Sequence, residues 1–379
     1  MSQRKQAGFS KTDMTMLVLI VLLVIFGLAV LFSSSEYNGR VRFGDSACYF
    51  KKQLFATALG MGVMYMVSSI DYHFFLRLGP VAYLISMFLS GAVLFVGQEI
   101  NGSKRWLNLG PLSFQPSEFA KVAVILFLAW QIERTKKATM GFGFMCRTIL
   151  TLLPIIGLVG SNNLSTAIIV MAITVLLLFL VHPKTKRFVV FACVVLVLAV
   201  IVVVYLKIQI SDMATSTDFR MRRIIAWLNP EANSDKDSYQ FLQGLYAIGS
   251  GGFFGKGLGN STQKLSAIPE AQNDMILTVI CEELGVFGAI LILCLFGFML
   301  YRLMFIARNA PDLYGSLIAA GIFSHIALQV ILNIAVVTGL IPTTGVTLPF
   351  ISYGGTAVVF LLAEMGIALG ISSKIELKD

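Results

Sequence analysis

The run MTMLVLIVLLVIFGLAVLF, Met14 to Phe32, contains no charged side chain. A bilayer core needs roughly 20 consecutive apolar residues per helix, so this stretch is long enough to cross one. Similar runs recur along the chain and predict about ten spans. The first seven are Met14–Phe32, Gln53–Ile70, Phe74–Gly97, Pro116–Gln131, Phe144–Gly160, Leu164–Val181 and Phe188–Leu206. The last three are Asp274–Phe305, Leu313–Val337 and Ser352–Ile371. The predicted class is an all-α polytopic membrane protein. Composition agrees, with 57% hydrophobic and only 13% charged residues, where ordinary soluble domains carry about 25% charged.

Charge sets the orientation. Arg4, Lys5 and Lys11 precede the first run, which is too long for a signal-peptide core and has no small-residue cleavage site after it. It reads as a retained span with its N-terminus inside, and an even count puts both termini in the cytoplasm. The loops ERTKKA, HPKTKR and YRLMFIAR then fall inside and are basic, whereas SNNLS and GLIPTTGVTLP fall outside without Lys or Arg. That is the positive-inside pattern, and it accounts for much of the net charge of +9 without any nucleic acid. Residues 207–273, between spans seven and eight, form one large extracellular loop, and loops of that length are usually functional or disordered. The organisation is a single helical membrane domain over 1–379. Five scattered cysteines with no C-x-x-C spacing support neither a disulfide scaffold nor a zinc site.

Several polar groups resist the membrane reading. In PEAQNDMILTVICEELG, Asp274 stands where the outer loop ends and span eight begins, with Glu270 about a turn before it. Two readings stand for Asp274: a helix N-cap favoured by the macrodipole, or an acid facing an outward cavity. Glu282 and Glu283 lie two turns deeper, beyond the reach of capping, where acids mark a lined cavity or a buried pair. In QPSEFAK, Pro116 suits a first helical turn, and Glu118 and Lys121 can pair at i, i+3. Whether Lys121 only neutralises Glu118 or also faces an anion is open. Lys104 and Arg105 lie outside, against the topological trend, followed by Trp106. FRMRRIIAWL, with Arg220, Arg222 and Arg223, suits a helix in the membrane interface. With Lys256 and Lys264, these groups make the outer face cationic, suited to phosphates or lipid headgroups.

Other motifs exclude chemistry. GSGGFFGKGLGN lacks the G-x-x-x-x-G-K-[ST] pattern, so it reads as a flexible turn and no nucleotide is expected. His73, His182 and His325 are too far apart to suggest a metal cluster. The residues alone thus point to transfer chemistry on an anionic, lipid-linked substrate, or to its transport.

Three blocks resemble the SEDS family (shape, elongation, division and sporulation): NGSKRWLNLGPLSFQPSEFAK, YAIGSGGFFGKGLGNSTQKLSAIPEAQND and NIAVVTGLIPTTGVTLPFISYGGTA. The similarity runs over essentially the whole chain. GVTLP and GNSTQKL look more like the family's division and sporulation members than its elongation member. The resemblance implies a peptidoglycan glycosyltransferase that polymerises lipid II into β-1,4 glycan strands outside the plasma membrane. It also implies a class B penicillin-binding protein as partner, with other divisome proteins around it. The family's essential acid falls on Asp274, its tryptophan on Trp106, and its Glu and Lys on Glu118 and Lys121. Arg105, Arg220, Arg223 and Glu270 complete the expected substrate-binding set. Asp274 would serve as general base or as ligand to a divalent cation (Mg2+ or Mn2+). A lipid II flippase using Glu282, Glu283 and Glu364, or a scaffold for the penicillin-binding protein, are the other classes. Two departures stand out: many members have Pro-Asp where this chain has Asn162-Asn163, and Phe where it has Met275.

Overall fold

The computed structural model describes residues 13–100, 103–109, 112–135, 141–182, 197, 201, 203–205, 219–230, 236–264 and 271–376. Nine of the predicted spans appear among these residues as helices. They are α1 (Met14–Phe43), α2 (Cys48–Ser69), α3 (Phe74–Val96), α4 (Pro116–Glu133), α5 (Phe142–Asn162) and α6 (Leu164–Val181), and later α9 (Ile276–Asn309), α10 (Leu313–Val337) and α11 (Thr356–Ser372). Between the two groups come the shorter α7 (Phe219–Leu228) and α8 (Lys236–Gly251). The predicted seventh span, 188–206, lies outside the described residues except for 197, 201 and 203–205, which are helical. Six helices (α1, α3, α5, α6, α9 and α10) are long and apolar enough to cross a membrane among the described residues. The chain is therefore a multi-pass membrane protein.

Helix ends follow local chemistry. Asn163 caps α6 by accepting from the Thr166 N–H at 3.2 Å, and Asp312 caps α10 by accepting from the Gly315 N–H at 2.7 Å, as short polar side chains do. Both helices start where the apolar runs begin. Three features depart from expectation. The helix α1 continues eleven residues past Phe32 and stops at Gly44, which adopts φ 70°. Its polar continuation is not solvated, since Ser34 and Ser35 are fully buried. The helix α9 is broken at Gly285 (φ 68°, ψ −168°), so Ile276 to Leu284 form a separate short helix ahead of the long span. Finally, the connection before α4 is an antiparallel sheet of β1 (Gln98–Ile100), β2 (Ser103–Leu109) and β3 (Leu112–Phe114), in that order. The register pairs Gln98 with Trp106 and Leu107 with Phe114.

Packing places α11 on α2, α3 on α4, and α9 between α10 and α8. At the end assigned to the cytoplasm, Asp13 caps α1 and accepts from Arg302 Nε at 2.8 Å, and its N–H donates to Ser372 Oγ at 3.2 Å. Lys374 pairs with Asp71, and His73 Nε2 stands 2.9 Å from Asp312. Six helix ends that the predicted topology put on one side thus meet on one side.

The Lys374 ammonium, hydrogen-bonded to Asp71, holds that carboxyl well below the usual carboxylate range. A depressed folded value means that the pair's contribution is complete above the unfolded pKa of about 3.9 and is lost as pH falls through the folded value. Asp71 is more than half exposed, so the contribution is about 0–1 kcal/mol. Asp71→Asn is expected to lower the Tm of the detergent-solubilised protein by about a degree or two at neutral pH. That difference shrinks below about pH 4.

Candidate functional site

At the opposite end of the bundle a cleft of about 340 Å³ gathers residues from distant parts of the chain. Arg42 of α1, Arg105 and Trp106 of β2, Glu118 of α4, Arg223 of α7 and Asp274 before α9 all line it. Five of the eight site residues read from the sequence therefore share one space.

Asp274 sits in a turn, 271–275, ahead of α9. The capping reading does not hold: the cap position belongs to Met275, with no side-chain cap hydrogen bond there. The turn carries the carboxylate past the helix end to the cleft wall. Its backbone is fixed on both sides. The Asp274 carbonyl accepts from Asn333 Nδ2 at 2.8 Å, and the same amide donates to the Val346 carbonyl at 2.9 Å. Two residues earlier, the Gln272 carbonyl accepts from the Tyr353 N–H at 2.9 Å, and Gln272 Oε1 accepts from Asn38 Nδ2 at 2.9 Å. A buried backbone needs such partners, and here they hold the acid to the loop between α10 and α11.

That loop contributes Gly345. A methyl group in place of its hydrogen would lie 3.8 Å from Arg223 Nη1, 4.0 Å from Arg105 Nη1 and 4.0 Å from Asp274 Oδ2. Two guanidiniums and one carboxylate therefore converge on a single point of bare backbone. Gly345 has φ 72°, which L side chains enter at a penalty of roughly 1–2 kcal/mol. Each arginine is also anchored: Arg105 Nε donates to the Asn162 carbonyl at 2.9 Å and Arg223 Nη1 to the Thr343 carbonyl at 3.2 Å. The helix α7 is itself docked, through Trp227 Nε1 donating to the Gly339 carbonyl at 2.7 Å and buried Ile225. It packs on the protein as well as being amphipathic.

Lys121 is behind the cleft wall. It is 1% exposed and pairs with Glu118 at 3.0 Å, and of the two only Glu118 lines the cleft. Burial of an unpaired carboxylate would be strongly unfavourable, and Lys121 is the partner that Glu118 has in the wall. Arg220 is helical in α7, and its side chain lies outside the described residues, as does all of Glu270. Asn163, standing where many SEDS members have Asp, lines the cleft while capping α6. Glu364, buried mid-helix, faces His325 Nδ1 at 2.8 Å. Among the described residues no three His, Cys, Asp or Glu side chains come together as a metal site.

Sequence reasoning missed Arg42, Asn333, Gly345 and Tyr353. Arg42 carried a usable signal, because it too is a basic residue on the side that the charge pattern assigns to the outside. Tyr353 packs edge-on against Tyr49, with ring centroids 5.0 Å apart, and burial pushes its hydroxyl up to about 12.

A multi-pass helical membrane protein with one polar, cation-lined cleft around a single turn-held aspartate is the class that fold and site define. The chain belongs to the FtsW/RodA/SpoVE family of cell cycle proteins, whose profile it matches from residue 13 to 376. It is 36% identical over 364 residues to stage V sporulation protein E of Bacillus subtilis, covering 95% of this chain and 96% of that one. It is 34% identical over 378 residues to the probable peptidoglycan glycosyltransferase FtsW of Trichlorobacter lovleyi, covering 99% and 96%. Among solved structures, it superposes on a chain of a peptidoglycan synthase complex that coordinates polymerization and crosslinking, with TM-score 0.75 and 27% identity over 95% of this chain and 97% of that one. The rod shape determining protein RodA of Thermus thermophilus gives TM-score 0.69 and 25% identity over 98% and 99%.

Proposed function

We propose that this protein is a peptidoglycan glycosyltransferase, polymerising lipid II into β-1,4 glycan strands at the outer face of the plasma membrane during division or sporulation. The observation that carries the reading is the convergence of Asp274, Arg105 and Arg223 on Gly345. A lipid anchor holds the substrate's pyrophosphate at the membrane edge, where this cleft opens beside the ends of the spans. The names of the relatives and the outward charge pattern support the same reading.

The donor sugar is α-linked to pyrophosphate and the product is β, so one displacement with inversion suffices. The acceptor GlcNAc 4-hydroxyl oxygen bonds to the donor's anomeric carbon while that carbon's bond to the pyrophosphate oxygen breaks. Asp274 takes the hydroxyl proton, a role that typically contributes 10²–10⁴-fold. A carboxylate with an ordinary pKa of about 3.9 is a weak base for an alcohol, so the proton moves late, as the anomeric bond opens. Charge then collects on the departing undecaprenyl pyrophosphate, where Arg105 and Arg223 are aimed. Fixed cations of this kind are usually the largest single catalytic contribution. Mg2+ is commonly held by one or two carboxylates together with substrate phosphates. Asp274 fits that pattern, and a divalent cation held there would neutralise pyrophosphate charge. Trp106 offers an apolar face to sugar, and Glu118 a second acceptor at the cleft wall.

A class B penicillin-binding protein is the expected partner, supported by the likeness to a chain from a complex that couples polymerization to crosslinking. The flippase reading loses its pathway residues, because Glu282, Glu283 and Glu364 are all buried and engaged with Lys256, Lys264 and His325. The test pairs two assays on one preparation in sealed proteoliposomes. Strand formation without headgroup translocation is expected; translocation without strands would overturn the proposal.

Gly345 offers a sharper check. Gly345→Val places a branched side chain among the three charged groups at a strained φ. Because misplacing reacting groups by about 1 Å costs on the order of 10²-fold, polymerisation should fall by about that factor. Gly345→Ala, whose methyl makes only van der Waals contact, should lose less.

A further inference from the structure

The glycine-rich stretch before Asp274 is tightly held, contrary to its reading as a flexible turn. Gly252, Gly255, Gly257 and Gly259 all have positive φ, and their backbone is sewn to the break in α9. The N–H groups of Lys256 and Gly257 donate to the carbonyls of Glu282 and Glu283, both at 2.9 Å. In return, Val286 and Phe287 donate to Gly252 and Phe253 at 3.1 and 3.0 Å. The break at Gly285 is what frees these groups: a continuous helix would use them itself. A Cβ on Gly255 would meet the Glu283 carbonyl at 2.2 Å, so only glycine allows the approach.

The two adjacent carboxylates complete the attachment. Glu282, fully buried, accepts from Lys256 Nζ at 2.7 Å, from Thr262 N–H at 3.1 Å and Thr262 Oγ1 at 2.9 Å, and also from Ser261 Oγ. Glu283, 1% exposed, accepts from Lys264 Nζ at 2.7 Å and from Ser33 Oγ of α1 at 2.7 Å. Lys264 Nζ also reaches Ser33 Oγ at 2.8 Å, and Lys264 is itself 3% exposed. Three elements therefore meet in one buried, hydrogen-bonded triad. This is also why α1 extends past the apolar run: Ser33 is engaged by Lys264 and Glu283, and the same helix goes on to place Arg42 in the cleft.

Position along the chain gives the triad a purpose. Lys264 is ten residues before Asp274 and Glu283 nine after it, so their ion pair closes a loop of 20 residues with the reacting acid at its centre. Closing a loop limits where its middle can go. We infer that the Ser33–Lys264–Glu283 triad, backed by Glu282 and Lys256, is a positioning clasp that sets Asp274 against Arg105 and Arg223; none of its members touches substrate. The inference rests on the reading of Asp274 as the reacting acid.

The test uses full-length protein with its cognate penicillin-binding protein and lipid II as probe, and reads kcat, KM and amide hydrogen exchange over 252–264. Glu283→Gln and Lys264→Met are expected to lower kcat by about 10²-fold while KM changes little, since geometry and not binding is lost. Protection over 252–264 should fall in the same variants. The exchanged pair, Lys264→Glu with Glu283→Lys, should recover much of both. Ser33→Ala removes no charge and keeps the test open if the charge variants do not fold; its kcat should still fall with KM held. Single variants that lose protection yet keep wild-type kcat would overturn the clasp, as would an exchanged pair that regains protection without rate. Failure of the underlying reading looks different: Asp274→Asn would polymerise normally, whatever the clasp variants did.

Discussion

Arg105→Gln and Arg223→Gln are each expected to reduce kcat for lipid II polymerisation by about 10²–10³-fold, the usual loss when one group aimed at developing charge is removed. The guanidiniums lie about one point with Asp274, so their attraction to pyrophosphate grows as the anomeric bond breaks. An interaction stronger in the transition state than in the ground state appears in kcat; one equally strong in both appears only in KM. Arginine-to-lysine variants separate charge from shape. Lysine keeps the cation but loses the planar fork, including the bond from Arg105 Nε to the Asn162 carbonyl. Each Lys variant should therefore fall between wild type and Gln. Initial rates of strand formation at saturating and limiting lipid II would distinguish these outcomes, and a pure KM effect would move the arginines from catalysis to binding.

Asp274→Asn is expected to slow strand formation by about 10²–10⁴-fold, the contribution of a positioned general base. Folding should be spared. The anchors around Asp274 are backbone groups, its own carbonyl to Asn333 and the Gln272 carbonyl to the Tyr353 N–H, and an amide of the same size leaves them in place. The variant should insert, elute as a single species and keep its affinity for lipid II. Asp274→Glu keeps the charge but moves it by a methylene, so a partial rate is expected.

Apolar runs revealed the spans because a bilayer and a protein interior both exclude water, and the edges of α6 and α10 coincide with those runs. The same ambiguity concealed what covers each helix. Ser34 and Ser35 are buried by protein and not by lipid, which no periodicity in α1 could reveal. The break in α9 lay at a single glycine at the end of ICEELG, a residue tolerated in membrane helices, and only its φ of 68° identifies it. Glu282 and Glu283 were therefore assigned to a continuous span, when they belong to a short helix wrapped by the preceding loop. In the site, which residues belong together was largely legible: Arg105, Trp106, Glu118, Arg223 and Asp274 all reach the cleft. Contacts across long separations were not. Asn333 reaches a carbonyl 59 residues away, and Gly345 owes its importance to three side chains from three different elements. Lys121 illustrates the opposite error, a cation in the right motif that spends its charge on Glu118.

Polymerisation of lipid II in this cleft should depend on Asp274. Strand formation from lipid II is to be measured with purified protein, a cognate class B penicillin-binding protein and a divalent cation, comparing wild type with Asp274→Asn. Long glycan strands from wild type and none from a folded, lipid II-binding variant are the predicted result. Strands of equal length and yield from both proteins would contradict it.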